Sequence, residues 1–70
     1  MKTLFSTDYV VYDTLFDNVS RWESNKEIVI YGSKEDAQDD ICPETNEVAI
    51  PCTELPPSLQ DELVKQINKN

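Results

Sequence analysis

Apolar positions in this chain come in short groups separated by polar segments, and their spacing predicts strands as well as helices. Glu27-Ile28-Val29-Ile30-Tyr31-Gly32 holds the one unbroken run of strongly β-forming apolar residues and ends at the single glycine. Such a run predicts a central strand buried on both faces. Upstream, Val11, Leu15, Val19 and Trp22 share one helical face, which Ser6 or Thr7 could cap. The residue types argue for strand instead. Val10, Val11, Tyr12, Thr14, Phe16, Val19 and Trp22 are weak helix formers, and Asp17-Asn18 is turn chemistry that tolerates positive φ. The reading is a hairpin, with one strand from Tyr9 to about Leu15, the next from Val19 to Glu23, and Phe16 opposite Val19. Trp22 covers a face of the sheet in this reading. Glu23-Ser24-Asn25-Lys26 is a second polar turn, which makes Ile28 to Tyr31 the third strand of a meander. Residues 1 to 8 are a lead-in attached through Leu4 and Phe5.

Downstream of Gly32 the period changes. Ser33 caps a short helix with Asp36 three residues on, Ala37 and Ile41 form its inward side, and Pro43 stops it. Glu47 to Ile50 predicts an edge strand ended by Pro51. Pro56 and Pro57 preset the first turn of a final helix whose apolar stripe is Leu59, Leu63 and Ile67, with Val64 beside it. In that helix Asp61 and Glu62 are assigned to the first turn and Lys65 and Lys69 to the end, as the helix dipole favours. The order is β-β-β-α-β-α. It describes an α+β domain over residues 1–70, a three-stranded antiparallel meander plus a short edge strand, with two helices covering one face. A helical 9–22 would give α-β-α-β-α, which changes the topology and keeps a mixed class.

Length limits this fold. Seventy residues bury roughly 60% of the surface of the unfolded chain, which is barely enough for one core. With 39% hydrophobic and 29% charged residues, the chain is too apolar for disorder and its surface is dense with charge.

Charge changes the picture most. Fourteen carboxylates against six Lys and Arg give −8, and there is no histidine. Lys2, Arg21, Lys26, Lys34, Lys65 and Lys69 are scattered along the chain, so no basic stripe for nucleic acid or an anionic membrane is evident. Basic proteins, above all those with nucleic-acid-binding grooves, are the expected partners. The first residues reach Ser6, Thr7 and Asp8 before any apolar segment develops, so no secretory signal is read, and no run reaches the roughly 18 apolar residues of a membrane span. A cytoplasmic location is expected.

Candidate chemistry is sparse. Without histidine, a Ser-His-Asp or Cys-His constellation cannot be assembled, and paired carboxylates need a pocket that so small a chain has little room to form, so no enzyme is expected. A disulfide between Cys42 and Cys52 would contribute roughly 3 kcal/mol, but a cytosolic chain keeps its thiols reduced, and free, partly buried cysteines are expected. Glu35, Asp36, Asp39 and Asp40 lack the spacing and internal glycine of an EF-hand, and one glycine cannot make a phosphate loop, so neither metal nor cofactor is assigned.

The remaining feature is an asymmetry. From Glu35 to Val64 there is no Lys or Arg, while nine carboxylates lie in that span. Glu35, Asp36, Asp39, Asp40, Glu44 and Glu47 are the candidate partner-binding residues, a face whose field is similar to that of a nucleic-acid backbone. The same acidity also serves solubility. Tyr12-Asp13-Thr14 through Arg21-Trp22, and Ile28 to Ala37, resemble the hairpin, strand and acidic helix of small acidic proteins of bacteriophage and bacterial mobile elements. That resemblance implies binding and inhibition of host factors, in some cases by DNA mimicry. The expected function is a non-catalytic protein–protein interaction module, a small inhibitor with an acidic face. The alternatives are a structural protein that self-associates through the edge strand near Val48 or through the sheet face, and a thiol-dependent role for Cys42 and Cys52.

Overall fold

The computed structural model describes residues 3–69. The expected α+β class is present: a three-stranded antiparallel sheet and two helices. Strand β1 is Tyr9–Asp13, β2 is Asn18–Val19, helix α1 is Lys34–Asp39, β3 is Glu47–Pro51 and α2 is Pro57–Ile67. The spatial order β2-β1-β3 puts β1 in the centre and β3 at an edge.

The hairpin forms, but it turns early. Asp13 accepts the N–H groups of Leu15 and Phe16 at 2.9 and 3.1 Å, which bends the chain before the expected strand end. Asp17 supplies the positive φ of 53°. Tyr12, not Phe16, therefore opposes Val19, and Leu15 and Phe16 stand exposed at the tip. β2 is only two residues long, and the chain leaves the sheet after Ser20 donates its N–H to Val11. Trp22 consequently lies in the Trp22–Lys26 turn rather than on the sheet and is 56% exposed, contrary to its expected role.

The run from Glu27 to Gly32 is extended but is not the central strand. It pairs at two isolated points, Ile28 with Arg21 and Tyr31 with Tyr9. Between β1 and this run the Tyr9 and Tyr31 backbones exchange two 2.8 Å hydrogen bonds. Ile28 instead directs its N–H and C=O to the side chain of Gln66 on α2, at 2.7 and 2.9 Å. A helix side chain thus takes the groups that a neighbouring strand would have paired. Burial on both sides holds for Ile28 and Val29 only, since Ile30 is 38% exposed.

Helix boundaries follow local signals. The Ser33 hydroxyl accepts the Asp36 N–H at 3.2 Å, as a cap should, and Ala37 is buried. Pro57 is the first residue of α2, so Asp61 and Glu62 fall in the second turn rather than the first. Leu63 is fully buried in a cluster with Val10, Val19, Ile28, Cys52 and Leu55, and Leu4, Leu59 and Ile67 pack around it. Phe5, the other expected attachment, is exposed. Side chains alternate along a strand, so Val10 and Tyr12 share this face while Val11 points to the other. On that second face α1 packs against β1 and β3, where Val11 and Ala37 are buried outside the Leu63 cluster. The two helices therefore cover opposite faces, not one. No helix among the described residues is long and apolar enough to cross a membrane.

Candidate functional site

α1 and the loop after it bring the acidic candidates onto the same side of the sheet. Its one buried position is Ala37, so the remaining helix positions are left to solvent. Glu35 and Asp36 occupy its first turn, Asp39 is its last residue and Asp40 its C-cap; all four are exposed, as is Glu44 in the following loop. Glu47 opens β3 and is half-buried, accepting from Thr45 Oγ1 at 3.1 Å and Ser20 Oγ at 3.4 Å. It is the one candidate drawn into the fold rather than presented to solvent.

A residue not singled out in the sequence organises this face. Tyr31 donates its hydroxyl to Asp40 Oδ2 at 2.7 Å, which ties the end of α1 to the strand run beside β1. Burial, followed by the hydrogen bond and charge of Asp40 and the charge of Glu47, pushes the phenol up to about 12. Both carboxylates therefore act on the same hydroxyl. The available sequence signal was weak, an aromatic nine positions from an acid with a glycine turn between them.

None of the six acidic candidates has a cation within ion-pair distance among the described residues. Asp39 and Asp40 lie at the carbonyl end of α1, where the helix dipole disfavours negative charge by about 0.3–1 kcal/mol each, and no basic residue offsets them there. Asp40 is held by the Tyr31 hydroxyl, whereas Asp39 has no partner among the described residues that offsets this cost. Lys34 is the exception on this side. It lines a cleft of about 420 Å³ with Gln38, Ile41, Glu47, Val48 and Ala49, along the free edge of β3.

The other cations, scattered in sequence, are gathered in space. Lys26, Lys65 and Lys69 line a second cleft of about 380 Å³ with Glu27, Glu62 and Gln66. Arg21 joins two of its lining residues, donating to Glu62 through both guanidinium nitrogens and to the Lys26 carbonyl at 3.0 Å. The Arg21 hydrogen bond holds the Glu62 carboxyl below the usual carboxylate range, and the same bond raises the guanidinium. Lys69 reaches Glu27 at 3.9 Å. Half of this arrangement was legible, since Lys65 and Lys69 are four apart on a predicted helix and so share a side. Lys2 lies outside the described residues.

The sheet therefore separates two fields. α1 and its loop carry carboxylates without an ion-pair partner among the described residues, together with Lys34, on one face, and α2 with the turn docked on it carries four of the six basic residues, with Glu27 and Glu62 among them, on the other. Among the described residues no group of three metal-ligating side chains comes together, and the acidic residues stand apart along α1 and its loop. Cys42 and Cys52 are free thiols, Cys42 exposed and Cys52 buried. Burial, with the charge of Asp8, pushes the Cys52 thiol up to about 11, so it is not an activated nucleophile at neutral pH. Comparison with family models, with curated proteins and with solved structures finds no match.

Proposed function

We propose that the protein is a non-catalytic, cytoplasmic interaction module that offers the outer side of α1 and the loop after it to a basic protein partner. It acts as a small inhibitor, its carboxylates taking the place of DNA phosphates in a nucleic-acid-binding groove. Glu35, Asp36, Asp39, Asp40 and Glu44 make the contact, and Glu47 supports them from the sheet.

One observation carries this reading. The carboxylates of α1 stand unpaired on one face while the cations are held together on the other. An acidic surface that served solubility alone would have no reason to keep Asp39 at the wrong end of a helix dipole, or to leave Lys34 as the one cation beside these acids among the described residues. The resemblance to small acidic proteins of bacteriophage and bacterial mobile elements, which implies binding to host factors, points the same way.

The test is capture from a cell lysate on the tagged protein, with elution through a salt series and with an Asp36→Asn, Asp39→Asn, Asp40→Asn variant alongside. A contact between exposed charges weakens steeply as salt is added. The expected result is a nucleic-acid-binding protein that is retained by the wild type, released at moderate salt and lost from the variant. Equal retention by the variant, or capture of nothing but the protein itself, would overturn the reading.

A further inference from the structure

We propose that β3 is a dimerisation edge at which a second copy of this chain adds its own β3, antiparallel, about a two-fold axis through Ala49. The inference goes beyond the acidic surface and does not depend on it.

The hydrogen-bond pattern of the sheet carries the argument. In the β1–β3 ladder, Thr14 N–H donates to Asn46 C=O and Cys52 N–H to Asp8 C=O, so even-numbered residues of β3 face β1. The odd-numbered partners on β1 confirm the phase, because Tyr9 and Val11 bond outward to Tyr31 and Ser20 on the opposite side. Glu47, Ala49 and Pro51 consequently direct their backbone groups away from β1. Ala49 has no hydrogen-bond partner for its N–H or C=O among the described residues, and the Glu47 N–H has only a 3.4 Å contact with the Thr45 hydroxyl.

Two such edges fit each other. With the axis at Ala49, the two Ala49 residues exchange both of their bonds, so two hydrogen bonds form between groups that no intrachain bond uses. Each Glu47 N–H meets the partner's Pro51 C=O, which already accepts one bond where it opens the 3-10 turn Cys52–Glu54 and has its second lone pair to offer. Proline has no N–H, and in this register the missing donor falls only on the Glu47 carbonyl, which can stay in water. Val48 of each copy opposes Ile50 of the other on the face of the Leu63 cluster, covering Val48, which is 39% exposed in the single chain. Lys34 and Glu47 are the charged residues lining the cleft beside the edge, and they offset each other. The product is a continuous six-stranded sheet.

Net charge sets the salt dependence. Each copy carries −8, so the approach of two is opposed at low salt and association strengthens as salt is added. This is the opposite sign from the acidic-face contact, so each can fail without the other.

The experiment is sedimentation of the full chain from micromolar to millimolar concentration, joined to amide hydrogen exchange at both ends of that range. The expected result is a monomer–dimer equilibrium in which the Ala49 amide becomes protected only as dimer forms. Amides of Val48 and Ile50, which face β1, are protected throughout. Ala49→Pro removes a donor that no intrachain bond uses and should weaken the dimer by more than about tenfold. A wild type that stays monomeric, or a dimer in which Ala49 exchanges at its monomer rate, would overturn the proposal whether or not the proline variant folds.

Discussion

Tyr31 shows how much one hydroxyl decides here. Its backbone closes a bridge to the central strand and its phenol holds the last turn of an acidic helix in place. Because its folded value lies above the ordinary 10.0, at about 12, the neutral phenol is favoured by folding. Its contribution to stability is complete below pH 10 and is lost as pH rises towards about 12. Tyr31→Phe should remove a phenol that titrates above the ordinary 10.0 from an alkaline absorbance titration and cost about 0.5–1.5 kcal/mol in urea unfolding at neutral pH. It should also flatten the fall in stability above pH 10 relative to wild type. If the phenol lost from the titration is one that ionises at the ordinary 10.0, the Tyr31–Asp40 bond does not form.

At the scale of elements, what could be read beforehand was what local chemistry specifies. Ser33 as a cap, Pro57 at a helix start and the Leu59, Leu63, Ile67 stripe act within a turn or two of themselves, and each is where the sequence placed it. The Glu27–Gly32 run was misassigned because its β propensity is local while its pairing is not. The group that takes the Ile28 backbone is Gln66, 38 residues away. Trp22 was misplaced for a different, local reason: the Asp13 side chain ends the hairpin strand before the hydrophobic pattern does.

Magnitudes decide what fixes the 22–26 turn to α2. Ile28 is only 1% exposed, so Gln66→Leu strands a buried N–H and C=O and should cost about 1–3 kcal/mol. The Arg21–Glu62 pair is partly exposed, and Glu62→Gln should cost no more than about 1 kcal/mol. Urea unfolding of both variants checks the order, and a larger loss from Glu62→Gln would reverse the assignment.

For the whole molecule, the class and the acidic span were legible, and the division of charge by the sheet was not. That division depends on two tertiary facts, the packing of α1 and α2 on opposite faces and the docking of the 22–26 turn that brings Lys26 to Lys65 and Lys69. Neither has a sequence signal, because a short helix with one buried alanine fits either face. The two proposed contacts follow from this arrangement and have opposite salt dependence. On the two proposals, binding through the acidic face weakens with salt and association through the β3 edge strengthens.

The most direct test of the central claim is competition. Duplex DNA bound to the captured basic partner is titrated with the wild type and with the Asp36→Asn, Asp39→Asn, Asp40→Asn variant, at low and at high salt. The account predicts that the wild type displaces the DNA at low salt, that displacement fades as salt rises, and that the variant displaces it more than about tenfold less well. DNA and protein bound to the partner together, or displacement by the variant equal to that of the wild type, would contradict it.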